Sequence, residues 1–102
     1  MNNDIILEMV KIDLGISADA YNSYLTYLID AAVAAIEKEG IILEKQVDDE
    51  GNESGYTSEC GVAIIAYAAF LYRKRKEDTV SMPRSLRWRL NNLLFSQKGA
   101  GS

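Results

Sequence analysis

The chain has no histidine, one cysteine and one proline in its 102 residues, and each scarcity closes off a kind of chemistry. Without histidine, the Ser-His and Cys-His nucleophile pairs cannot be built, and the usual zinc sites lose a principal ligand. Acid–base work would fall to carboxylates, which are scattered on polar helix faces or gathered in one glycine-containing loop where little would tune their pKa values. No catalytic residue, cofactor or metal is expected. The pattern Gly-x-x-x-x-Gly-Lys is missing, so nucleotide binding has no support. Cys60 alone cannot close an intramolecular disulfide, and small secreted domains usually carry several, which predicts a reducing cytoplasm. Met1-Asn2-Asn3-Asp4 lacks the basic leader and apolar run of a signal peptide, so export is not expected. Long hydrophobic runs are absent too. The longest mostly apolar stretch, Cys60 to Tyr72, falls short of the about 20 residues a membrane span needs, and reads as a buried core helix even though Arg73-Lys74-Arg75-Lys76 would suit a membrane flank.

What is present suits one small globular domain, with 48% hydrophobic and 25% charged residues. A chain of this length buries roughly 60% or more of its unfolded surface, enough for a single core. The net charge of -4 conceals an asymmetry. Residues 1–56 hold 12 acidic and 3 basic side chains, and residues 57–102 hold 3 acidic and 8 basic. Such a two-ended chain suits subunits that meet acidic surface to basic surface, or a basic surface facing a polyanion, unless folding interleaves the halves.

Four helices are predicted. Ile5 to Lys11 reads as a short helix capped by Asp4 and ending near Gly15. Ser17 is placed to cap a second helix running to Glu39, with Asp19 in its first turn. In it Tyr21, Tyr24, Leu25, Leu28, Ala32, Ala35 and Ile36 recur at spacings of three and four, an amphipathic stripe about 33 Å long. Gly40 is the expected stop. Ile41-Ile42-Leu43 reads as a short extended piece, and residues 46–56 as a long, acidic, exposed and mobile loop. That loop fails the calcium signature, because aligning Gly51 with the invariant glycine puts Thr57 where the bidentate Glu should be. Thr57 or Ser58 can cap the third helix, apolar nearly all round, with Cys60 as a small buried hydrophobe. Pro83 suits the first position of a last helix running towards Phe95 or Gln97.

The last helix has two faces. At about 100° per residue, Leu86, Leu90, Leu93 and Leu94 form one apolar arc, while Arg84, Trp88, Asn91 and Phe95 gather on the other side. One small core cannot bury both. The leucine arc suffices for packing, which leaves Trp88 and Phe95 beside arginine, the composition of a protein–protein hot spot.

The segment from Met82 to Lys98, Met-Pro-Arg-Ser-Leu-Arg-Trp-Arg-Leu-Asn-Asn-Leu-Leu-Phe-Ser-Gln-Lys, closely resembles the closing helix of the bacteriophage head-tail connector (head completion or adaptor) family, the QLRG-type phage DNA packaging proteins. Leu7 to Lys11 with Leu14-Gly15-Ile16, and Leu28 to Ala32, support the resemblance less specifically. It implies an all-α structural protein: a small bundle of about four helices with a long loop between the second and third main segments. Residues 1–98 would be a single connector domain and 99–102 a flexible tail. The implied subunit assembles with itself as a ring, dodecameric in the particle, beneath the portal protein. There it extends a channel through which DNA passes without sequence-specific binding, and links the head to a downstream stopper or tail-joining protein. The implied location is the virion's head-tail interface, after assembly in the host cytoplasm, with no membrane, cofactor or catalysis. Arg84, Arg87, Trp88, Asn91, Asn92 and Phe95 are the expected contacts to a neighbouring subunit or the portal, and the acidic loop is expected to face a partner or the channel. Two other readings stand beside it. A small DNA-binding protein would use Arg73 to Lys76 with Arg84, Arg87 and Arg89 on phosphates and would lose affinity steeply with salt. A monomeric helical adaptor would dock through the Trp88 face without self-assembly.

Overall fold

A computed structural model of the chain describes residues 1–100, with side-chain environments up to Gln97. In chain order, helix α1 (Asn3–Leu14) is followed by a 3₁₀ turn at Asp19–Tyr21, α2 (Asn22–Lys38), strands β1 (Lys45–Val47) and β2 (Glu53–Tyr56), α3 (Ser58–Lys76) and α4 (Arg84–Ala100). The protein is a small, mostly helical bundle, as the periodicity predicts. The long loop differs from the expectation: its flanks, Lys45–Val47 and Glu53–Tyr56, pair as a short hairpin with Asp48, Asp49 and Glu50 in the turn.

The helix ends show local chemistry overriding the simplest reading. Asn2, not Asp4, caps α1: its side-chain oxygen accepts from the Ile5 N–H at 2.9 Å, and Asp4 lies in the first turn, where the helix dipole favours its charge. Gly15 closes α1 in the left-handed conformation, φ 70°, which lets the Ile16 N–H return to the Lys11 carbonyl at 2.9 Å. Ser17 caps nothing; the chain first makes the tight Asp19–Tyr21 turn, whose Asp19 accepts from Lys11 Nζ at 3.0 Å, before α2 begins. Thr57 caps α3 through the Cys60 N–H. Pro83 stands just ahead of α4, its carbonyl accepting from Leu86 and Arg87. The helix continues to Ala100, past the predicted end. Of the tail expected at 99–102, residues 101–102 lie outside the described residues.

Helix α3 is apolar on nearly every side because α1, α2 and α4 all pack on it. Met1 lies against Gly61 near its start, and Asp13 pairs with Arg73 near its end, so α1 runs alongside α3; α2 and α4 run the opposite way. The core collects Ile6 and Val10 from α1, Leu25, Leu28, Ala32 and Ile36 from α2, Ala63, Ile64 and Ala68 from α3, and Leu86, Leu90 and Leu93 from α4. Alanines facing the neighbours let the helix backbones approach closely. Cys60 is buried and free. Lys11 is buried as well, its stem in the core and its ammonium held by Asp19.

The hairpin pairs Lys45 with Tyr56, Gln46 with Gly55 and Val47 with Glu53, with an irregularity between Gln46 and Val47. At its exposed tip the Asp48 carboxylate accepts from the N–H groups of Glu50 and Asn52, so this acidic side chain shapes its own turn. Met1 lies alongside, its amino group donating to the Tyr56 carbonyl and its carbonyl accepting from the Tyr56 N–H at 2.8 Å. Ile41 to Leu43 is not a strand. Ile41 is buried, and the backbone of Ile42 is gripped by the Gln97 amide, which donates to the Ile42 carbonyl at 2.7 Å and accepts from its N–H at 2.9 Å.

Candidate assembly surface

The leucine side of α4 is committed to the core: Leu86, Leu90 and Leu93 are buried, and Leu94 packs against them half-exposed. Two polar clamps then fix the helix's rotation. Near its start, Arg87 makes a two-pronged contact with the Glu39 carboxylate at 2.7 and 2.8 Å; near its end, Gln97 holds Ile42. With both ends set, the opposite side is turned to solvent. Trp88 is 68% exposed and Phe95 66%, and Arg84 and Asn92 are exposed beside them. Trp88, Arg89, Asn92 and Ser96 also line an open groove of about 320 Å3 floored by Leu93 and walled by Glu59 of α3.

The six expected contact residues therefore divide. Arg84, Trp88, Asn92 and Phe95 share the outer face, and Asn91 is half-buried at its margin. Arg87 faces the other way, tying α4 to the end of α2 with its Nε buried and without a partner among the described residues. This cluster also touches Tyr67, whose hydroxyl pKa is raised, chiefly by burial and further by the Glu39 charge, against the opposing pull of Arg87.

A second exposed apolar face lies on α1, where the sequence reading assigned none. Ile5, Met9 and Ile12 are 47, 42 and 71% exposed, and their spacing of four and three places them on one stripe, roughly 100° round the helix from the buried Ile6 and Val10. Glu8 borders the stripe and makes no ion pair among the described residues. The signal was present as i, i+4, i+7 spacing, but Ile6 and Val10 offered a competing face.

Charge is also laid out along α3. The hairpin with Asp48, Asp49 and Glu50 in its turn leads into the N-terminal end of α3, while Arg73, Lys74, Arg75 and Lys76 end its last turn. These cations are partly engaged. Arg73 pairs with Asp13 at 3.1 Å, the Arg75 guanidinium lies 4.5 Å from the Tyr24 ring centre, and the Lys76 ammonium lies 5.0 Å from that of Tyr72. Among the described residues no group of three or more His, Cys, Asp or Glu is placed to hold a metal ion, and no helix is long and apolar enough to cross a membrane.

Fold and surface together define a class: a small helical bundle whose distinctive features are outward-facing apolar and aromatic helix faces with charged rims. Residues 4–93 match the family model of the phage gp6-like head-tail connector protein, and the chain belongs to that family of phage structural proteins. No curated protein and no solved structure matches the chain.

Proposed function

We propose that the chain, folded over residues 1–98 as one domain, assembles with copies of itself into a ring beneath the phage portal, extending the DNA channel and joining the head to the next tail-joining protein in the virion. It acts by binding neighbours and catalyses nothing. The observation that carries this reading is the exposed Trp88–Phe95 face on a helix whose other side is fully used by the core. Large rings left in water at a fixed place are what a protein contact covers, and the arginines at the rim give the contact its orientation. The charge layout along α3 suits a head-to-tail arrangement of subunits, in which unlike surfaces meet. A role in gripping DNA fits less well, because several of the α3 cations already sit on rings or carboxylates and DNA must move through the channel. The test is the mass in solution by size-exclusion chromatography with light scattering, across protein concentration and salt. A closed multi-subunit species supports the ring. A monomer at every concentration favours the adaptor that docks on one partner through the Trp88 face.

A further inference from the structure

The exposed face of α4 needs an occupant, and the exposed stripe of α1 needs one too. Both remain open within one copy: α1 and α4 each pack on α3, are not closely packed on each other, and keep these faces exposed. We propose that α1 of one copy seats on α4 of the next, with the Ile5–Met9–Ile12 stripe covering Trp88 and Phe95. This rests on the reading of the chain as a self-assembling subunit, and names the surface that its α4 face meets.

Length, charge and chemistry agree on this pairing. Ile5 to Ile12 and Trp88 to Phe95 each span the same seven-residue step, about 10 Å of helix axis, so neither stripe overhangs the other. Asp4 and Glu8 accompany the α1 stripe, whereas Arg84 and Arg89 accompany the α4 face; none of these four forms an ion pair among the described residues. Bringing the two faces together therefore meets opposite charges at the rim. The symmetric alternatives do not, since α4 against α4 sets arginines together and α1 against α1 sets carboxylates together. A methionine in the middle of the aliphatic stripe is also well suited to aromatic partners, because its thioether is flexible and makes favourable contacts at ring edges. The contact is heterologous, each copy offering α4 to one neighbour and α1 to the other, and such contacts either close into a ring or run on as a filament.

Mixing two full-length variants tests this. M9E/I12E spoils the α1 stripe and leaves α4 intact; W88E/F95E does the reverse. Light scattering should find each variant monomeric alone under conditions where the wild-type chain assembles. An equal mixture should give a species of twice the chain mass and nothing larger, because only one of the two possible contacts survives. Circular dichroism should show unchanged helicity, as all four positions are solvent-facing. If the glutamates disturb folding, I12A and W88A carry the test, I12A weakening self-association about tenfold and W88A about thirtyfold. M9E/I12E assembling as the wild type does would overturn the α1–α4 pairing while leaving self-assembly through α4 standing. A wild-type chain that stays monomeric throughout would overturn the pairing together with the ring reading.

Discussion

Trp88 and Leu90 are two residues apart on α4, yet their removal should be felt in different places. Leu90 is fully buried, and truncating such a leucine to alanine removes its transfer free energy and leaves a cavity, together about 3 kcal/mol. In a domain of this size each kcal/mol moves the melting midpoint by roughly 4–8 °C, so L90A should melt about 12–24 °C lower. Trp88 is 68% exposed. About a third of a side chain offering roughly 200 Å2 is covered, which at about 25 cal/mol per Å2 bounds the loss near 1.6 kcal/mol. Alanine's better helix propensity offsets roughly 0.5 kcal/mol of that, leaving about 1 kcal/mol, less than half the Leu90 effect. Self-association should reverse the ranking. W88A is expected to lose at least about 2 kcal/mol of contact free energy, roughly thirtyfold in dissociation constant. Thermal melts by circular dichroism, in dilute protein so that assembly does not itself raise the midpoint, and light scattering at high concentration read the two effects separately. A W88A melting loss as large as that of L90A, with assembly unchanged, would refute the assignment of Trp88 to an outer contact face.

The polar clamps give further expectations. R87A should destabilise the fold by about 1 kcal/mol, since the Arg87–Glu39 contact is two-pronged but partly exposed, and R87K should not restore it because lysine cannot present the planar fork; urea unfolding of the three proteins checks this. Asp19 has its pKa lowered from 3.8, first by the hydrogen bond from Lys11 and then by that residue's charge. A carboxylate with a depressed folded-state pKa contributes stability that is fully present above its unfolded value and disappears as pH falls through the folded one. The wild type should therefore lose stability below about pH 4 more steeply than D19N, as melting midpoints between pH 2 and 6 would show. At Gly55, φ is 122° and an added Cβ would stand 2.5 Å from the Met1 carbonyl oxygen, so G55A should cost about 1–3 kcal/mol and release Met1 from Tyr56, seen as faster amide exchange at Tyr56.

Much of the fold was legible because helix periodicity is local. The stripe from Tyr21 to Ile36, the all-round apolar character of α3 and the leucine arc of α4 each announce a buried side within a few residues of themselves, and the structure buries those sides except at Tyr21, which stands in the tight turn ahead of α2 and is exposed. The outward placement of Trp88 and Phe95 follows from the same projection. The hairpin was hidden because β1 and β2 are three and four residues long and rich in polar side chains, so nothing alternates clearly enough to distinguish strand from loop. The pairing of Arg87 was hidden for another reason: on the wheel it lies between the leucine arc and the outer face, and its partner Glu39 comes from far along the chain.

The sequence by itself determined four helices, their buried stripes, the lack of histidine-based chemistry and a last helix with more aromatic surface than its own core can use. Tertiary structure alone decided that Lys11 meets Asp19, that Arg87 belongs to Glu39, that Met1 edges the hairpin, and that α1 keeps Ile5, Met9 and Ile12 in water while burying Ile6 and Val10. The physical reason is range. A helix's period is set by neighbours three and four residues away, whereas which of two apolar stripes turns inward, and which charge finds which partner, depends on where α3 brings the other helices once the connecting loops have closed.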